Sequence, residues 1–462
     1  MPTVFRSPPA PINTSKSPPH PSSPPNPNHN VGAGTFDEPP GWAELGAAQR
    51  RDFEKGIDLA HSWIQAAADE RIVVAPLQIP VAFMRNQDFQ RIANITTVIP
   101  DRRLFAFDVH TGAPLWNHMP PAGWDGDSGG FVERMSIAGA PRIVGRRVLV
   151  PCHRMQGRID YHVGCFDLDT GALLWSTDVI SGQRELNMFG RPMREFTAPP
   201  LVISGSNVIA LTQLGAIACL DLYSGEVRWV TIYDQMPLPK NRDLVGRNER
   251  PVVWANQPPV VTGSTVIAAP FDSRDLVGLD LESGTLLWSL TNRRNGPIDA
   301  LAGDGDAGLD QLVGAQGDTV YLAGQRVLAI RSPAGLDVAA PLTRRWDFVH
   351  PDLESSDATP FCALDEGRIV VPADSRCFTL DLASGRQVDE GLPWGEDRSD
   401  GNVLVCEREI FSVSNRKVCG YFDWGVLVDR ARRAASEHPD DVRAALALGR
   451  LLANRGETER SV

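Results

Sequence analysis

Four groups of residues in this 462-residue chain have the types and spacing for chemistry. In Gly126-Asp127-Ser128-Gly129-Gly130 a serine stands between glycines, the form a nucleophile loop takes. Such a serine needs a His base and an Asp orienter. Only a Pro/Ser/Asn tract and a helical pattern precede Ser128, with no Ala-Ala-His-Cys-like base motif, so the segment reads as a Gly-rich loop. Asp304-Gly305-Asp306-Ala307-Gly308-Leu309-Asp310 offers three carboxylates to a hard cation such as calcium. It lacks the in-register Gly and terminal Glu of a helix–loop–helix calcium loop and reads first as a solvated acidic turn. Cys152-His153 and His162 before Cys165 make a loose Cys/His cluster flanking a strand-to-strand loop, at a spacing that matches no known metal site. Finally, Asp108, Asp167, Asp221, Asp280 and Asp381 recur at intervals and could suggest acid/base work.

The elements that carry these residues decide between the readings. From about residue 72 to 423, short Val/Ile/Leu-rich strands are cut by Gly, Asn, Asp and Pro, the texture of an all-β array. Within it the chain repeats itself. Phe-Asp-Val-His-Thr-Gly-Ala-Pro-Leu-Trp at 107–116 superimposes without gaps on segments 166–175, 220–229 and 279–288. The anchors are Asp108/Gly112/Trp116, Asp167/Gly171/Trp175, Asp221/Gly225/Trp229 and Asp280/Gly284/Trp288. Decayed copies follow. Ala329-Ile330-Arg331 with Gly335 takes the fifth place. Asp381/Gly385 has Asp389 where Trp would fall, and Gly420-Tyr421-Phe422-Asp423 is a last partial copy. The seven anchors, at 108, 167, 221, 280, 331, 381 and 423, lie 42 to 59 residues apart.

Each residue of the repeat has a structural use. Asp-x-x-[Thr/Ser]-Gly makes a tight turn in which the Asp side chain caps backbone N–H groups and Gly supplies positive φ. The following strand delivers a Trp suited to packing between sheets. Upstream lies another strand pair broken at a Gly-centred turn, so each unit holds four strands. Four strands per unit of about 50 residues make a propeller blade, and ring closure removes sheet edges. The fold expected is mainly β, a seven-bladed propeller, or eight-bladed with strands from 72–84. Residues recurring once per blade serve the blade and do not converge on one site. The repeated aspartates and tryptophans therefore read as structural.

These motifs resemble the pyrroloquinoline quinone (PQQ)-like repeat, whose blades end in Ala-x-Asp-x-x-Thr-Gly-x-x-x-Trp, over about residues 90–423. The repeat occurs in quinoprotein alcohol dehydrogenases and in BamB-like scaffolds of bacterial outer-membrane assembly. The dehydrogenases carry adjacent cysteines in a vicinal disulfide, a calcium or lanthanide site and a catalytic Asp. Here the cysteines are Cys152, Cys165, Cys219, Cys362, Cys377, Cys406 and Cys419, with no adjacent pair. Most sit beside apolar strand residues and read as small buried hydrophobes. The resemblance therefore implies the scaffold branch, with a protein or peptide partner on a propeller face, rather than an enzyme. No catalytic, cofactor-binding or metal-binding residue is assigned, PQQ is not expected, and calcium at 304–310 stays a minor option. The alternatives are a PQQ-dependent oxidoreductase and a sensor binding a small ligand in the central channel.

Outside the propeller, residues 1–40 are a Pro/Ser/Asn tract that cannot repay its ordering by burial and reads as disordered. Residues 41–71 read as an amphipathic helix, with Leu45, Phe53, Ile57, Ala60, Ile64 and Ala67 near a 3.6-residue period. Residues 424–462 are helical and resemble the junction of two tetratricopeptide units. Ala434 and Pro439 match the end of one, and Leu448, Gly449, Leu452 and Gly456 the start of the next. The end at Ser461-Val462, in mid-repeat, suggests either a fragment of a longer chain or a decayed gene product. The N-terminus has no compact apolar h-region. That leaves either a cytoplasmic protein or a chain starting downstream of an export signal, the resembled family being often periplasmic or outer-membrane associated. A formal net charge of −12 gives no electrostatic reason to expect nucleic acid. No apolar run reaches the roughly 18 residues of a membrane span.

Overall fold

A computed structural model describes residues 64–78, 101–121, 129–155, 158–183, 196–237, 253–303, 308–332, 343–354, 361–365, 367–373, 376–388, 391–393, 402–406, 409–413, 418–421, 424–437 and 439–454. Their strands form seven antiparallel sheets, each a run of neighbours in chain order. These are the blades of a seven-bladed β-propeller.

Blade one holds β1 (Ala67–Ala68), β2 (Ile72–Gln78), β3 (Arg102–Asp108) and β4 (Pro114–Asn117). In blade two the first strand is broken into β5 (Ser136–Ile137) and β6 (Arg142–Val144), both paired with β7 (Arg147–Met155), followed by β8 (Ile159–Asp167) and β9 (Leu173–Gly182). Blade three is β10 (Val202–Ser204), β11 (Asn207–Leu211), β12 (Ala216–Asp221) and β13 (Val227–Ile232). Blade four is β14 (Val260–Thr262), β15 (Thr265–Ala268), β16 (Asp275–Asp280) and β17 (Leu286–Thr291). Blade five is β18 (Leu309–Gln316), β19 (Thr319–Gly324), β20 (Val327–Arg331) and β21 (Arg344–Phe348). These five blades belong to one compact unit, residues 37–355.

The other unit includes residues 356–462. It carries blade six, with β22 (Ala363–Asp365), β23 (Arg368–Pro372), β24 (Arg376–Asp381) and β25 (Leu392–Pro393), and blade seven, with β26 (Asn402–Cys406), β27 (Glu409–Val413) and β28 (Val418–Tyr421). Three short helices, α1 (Phe131–Arg134), α2 (Pro297–Ala302) and α3 (Pro351–Glu354), interrupt the first unit's connections. After blade seven come α4 (Trp424–Glu437) and α5 (Val442–Asn454), which pack together. Arg430 of α4 reaches Glu409 of β27 at 2.9 Å. The segment expected to resemble tetratricopeptide units is thus helical over these two elements.

Two boundaries move. Ile72–Gln78 pairs with β3 inside blade one, so it starts no eighth blade. The helix expected over 41–71 does not reach its end: Ala67–Ala68 pair with Val73 and Val74 as a strand, and 64–66 are non-helical. The Ile64 and Ala67 spacing coincided with a helical period, but pairing of a half-buried edge strand with β2 won that segment. The rest of that helix and the 1–40 tract lie outside the described residues.

The second and third strands carry most of each blade's buried residues. β12 and β20 are enclosed along nearly their whole length, as continuous apolar runs such as Ala-Ile-Ala-Cys-Leu require. Core clusters lie between successive blades: Leu104, Val150 and Phe166 join blades one and two, Tyr161, Val163 and Leu220 blades two and three, and Ile209, Val266 and Leu279 blades three and four. Within the first unit each blade is an antiparallel meander, so its Asp turns leave from one end of the sheets. The turns joining second to third strands lie at the other end, where each blade's last strand also finishes.

Candidate functional site

The recurring aspartates are consumed by their own turns. Asp108 Oδ1 accepts from Thr111 N and Oγ1, each at 2.8 Å, and from His110 N at 3.1 Å. Asp280 Oδ1 takes Ser283 N and Oγ at 2.8 and 2.7 Å. The same pattern recurs at Asp167, Asp221 and Asp381. Hydrogen bonds from the turn's hydroxyl and backbone hold all five carboxyls below their ordinary range, Asp221 at about 2. They stay ionised and spoken for, at half-buried positions on five separate blades, which suits a cap and not a general acid.

The Gly and Trp complete an inter-blade clasp. The glycines stand at φ of +70° to +74° in the first four blades. The indole N–H of Trp116 donates to Leu168 O at 2.9 Å, that of Trp175 to Leu222 O at 3.3 Å, and that of Trp229 to Leu281 O at 3.0 Å. Each acceptor directly follows the Asp of the next blade. The ring lies flat on that blade's turn: a Cβ on Gly171, Gly225 or Gly284 would come within 2.5–2.6 Å of Trp116, Trp175 or Trp229. Two residues past the Trp, Thr177 Oγ1 donates to Gly225 O at 2.7 Å, and Thr231 Oγ1 to Gly284 O. His118 holds this place in blade one, its Nε2 2.9 Å from Gly171 O, and burial pushes its imidazole below the usual range.

Opposite each Trp, on the neighbouring strand, the residue is small: Ala106, Cys165, Cys219 and Gly278. Two of the seven cysteines are thus explained as space left for an indole. Burial lifts the Cys165 thiol to about 12 and that of Cys219 to about 11, so neither is a thiolate at neutral pH.

Sequence reasoning missed the fifth Trp. Ala329 faces Trp346 in the register that Gly278 and Trp288 share, including the bulge that follows. Trp346 comes fifteen residues after Arg331 instead of eight, so an ungapped repeat cannot find it. Arg331 replaces the turn's Asp, and the acid has moved to Asp318 across the blade, 3.0 Å from Arg331 and 2.8 Å from Arg345.

The Cys/His cluster does not assemble. Cys152 pairs with His162, and Phe131 of the same core packs against the His162 ring at 5.4 Å. His153 and Cys165 point to the other face, against Phe196 and the second core cluster. Adjacent strand residues face opposite ways, so Cys152 and His153 could never share an ion. Burial also raises the Cys152 thiol and lowers His162. Among the described residues no group of three or more His, Cys, Asp and Glu is placed to hold a metal ion. Ser128 and Asp304–Ala307 lie outside the described residues. Leu309 and Asp310 open β18.

The strongest polar cluster is one that sequence reasoning did not single out. Asp272, in the β15–β16 turn and 4% exposed, accepts from Tyr233 Oη at 2.6 Å, Gln235 Nε2 at 2.6 Å and Gly215 N at 3.1 Å. Nearby, Gln213 donates to Asn256 at 3.1 Å and accepts from Phe271 N at 2.9 Å. The donors come from blade three and the acid from blade four, so this is a second inter-blade tie, at the end away from the Asp turns. Its signal was invisible because the partners are over thirty residues apart and recur in no other blade.

Residues 67–257 match the PQQ-repeat family described as outer membrane protein assembly factor BamB. Those residues resemble the PQQ-like repeat, and they lie in a seven-bladed β-propeller. The chain is also similar to solved structures. BamB from Moraxella catarrhalis is 14% identical, with 86% of this chain and 100% of that chain covered and a TM-score of 0.49. Quinohemoprotein alcohol dehydrogenase from Comamonas testosteroni is 14% identical, with 80% of this chain and 68% of that chain covered and a TM-score of 0.46. No curated protein matches this chain. No helix among its described residues is long and apolar enough to cross a membrane.

Proposed function

We propose that the protein is a non-catalytic propeller scaffold that binds a protein or peptide partner on the face carrying the inter-blade connections. The observation that carries this reading is the use already made of the repeat's chemistry. Every Asp of the motif caps a turn, and the first three Trp residues clamp the next blade. What varies between blades is the opposite end, where the connections 118–135, 183–201, 233–259 and 292–308 differ in length and sequence. Variable loops on a rigid repeated frame are where binding specificity resides. The match to the BamB family over 67–257 supports a scaffold of that kind. The helical pair adds surface: Val442 and Leu446, one turn apart on α5, are 69% and 55% exposed.

A photo-crosslinking amino acid at exposed Arg294, on the connection face, tests the reading against one at exposed Glu282, on the Asp-turn face. Specific crosslinks to a protein from the 294 position, with none from 282, are expected. Equal or absent crosslinking at 294 would overturn the face assignment.

A further inference from the structure

We infer that the outer edge of blade three, strand β13, pairs with the same strand of a second copy of this chain. The case starts from the register that all five blades of the first unit share. Relative to the blade's Trp, the first and third residues onward are Asn117 and Met119, Ser176 and Asp178, Ser289 and Thr291, or Asp347 and Val349 in four blades. Each of these puts a polar or charged group at the first position, the usual protection of a sheet edge. Blade three alone has Val230 and Ile232, 41% and 68% exposed.

The backbone of this edge is open. Tyr233 N donates inward to Gly215 O at 3.0 Å. By antiparallel alternation the amides and carbonyls of Ile232 and Val230 then point away from β12, to the free side. Neither residue makes a further hydrogen bond among the described residues.

The strand's own sequence selects the occupant. Antiparallel self-pairing about Thr231 sets Val230 opposite Ile232 twice, as a hydrogen-bonded pair each time. It also sets Arg228 of each copy opposite Asp234 of the other, a charge complementarity repeated by the two-fold axis. Asp234 is exposed and makes no ion pair among the described residues, and Arg228, its side chain 36% exposed and already paired with Asp221 of its own blade, would share its charge with Asp234 of the other copy. Two β-branched cross-strand pairs and opposite charges at the ends favour this register over a slip by one residue. A two-fold contact of this sort is isologous and closes at the dimer.

Sedimentation velocity of the full chain over a concentration series tests the inference. The wild type should pass from monomer to dimer. Ile232→Lys should weaken association at least tenfold, Ile232→Thr, which keeps β-propensity, should weaken it several-fold, and Asp234→Arg should weaken it by setting like charges opposite. Leu286→Lys, on the exposed outer strand of blade four, should associate like the wild type. A wild type that stays monomeric throughout, including one whose edge instead takes up a strand of another protein, would overturn the proposal. So would Ile232 variants that dimerise unchanged.

Discussion

Replacing Gly284 by alanine separates the clasp from the turn that carries it. Gly284 has φ +71°, and a Cβ there would lie 2.5 Å from the Trp229 ring and 2.9 Å from Thr231 Oγ1. Holding alanine in the left-handed region costs about 1–2 kcal/mol. Displacing a packed indole adds about 1–3 kcal/mol, and the loss of its N–H bond to Leu281 O about 0.5–1.5 kcal/mol. The sum is about 2.5–6.5 kcal/mol. Gly112 is the control: its φ is +70°, but nothing lies within 4 Å of its would-be Cβ, so only the backbone cost of about 1–2 kcal/mol applies. Urea unfolding of Gly284→Ala and Gly112→Ala, each against wild type, measures both. If Gly284→Ala is no more destabilising than Gly112→Ala, the Trp does not clamp the next blade and the reasoning fails.

Other expectations follow from the same geometry. Asp272→Ala leaves the Tyr233 hydroxyl, the Gln235 amide and Gly215 N–H without their buried acceptor and should cost about 3 kcal/mol in the same unfolding experiment. Tyr161→Phe should be neutral or stabilising by up to about 1 kcal/mol, because the buried Tyr161 hydroxyl has no hydrogen-bond partner among the described residues. In acid the Asp turns should weaken. Asp221 titrates at about 2 in the folded chain, below the ordinary carboxylate range, so its contribution is complete above about pH 4 and lost as pH falls towards 2. The melting temperature of Asp221→Asn should therefore fall less steeply than that of wild type between pH 4 and 2.

The parts of the fold that were legible are those whose partners lie close in sequence. Asp221, Ser224 and Gly225 form one turn, so their spacing is their geometry, and four repetitions named the blade. The Trp's destination, a carbonyl about fifty residues on, was legible only as a need for packing. Trp346 escaped because the stretch before it is longer and Arg331 stands for Asp, with Asp318 compensating from the β18–β19 turn. Asp272 escaped for a related reason, its donors lying on another blade. In contrast, the separation of Cys152 from His153 needed only the two-residue period of a strand. The end of the N-terminal helix was misjudged because two alanines fit either period, and pairing with Val73 and Val74 decided.

The claim at the centre of this account is that a quinone-type repeat here builds a frame and not a redox site. Incubating the full chain with pyrroloquinoline quinone and calcium, desalting it, and following the retained chromophore together with alcohol-dependent dye reduction tests that claim directly. The account predicts no retained quinone and no dye reduction above the protein-free rate. Stoichiometric quinone with alcohol-dependent dye reduction would contradict it.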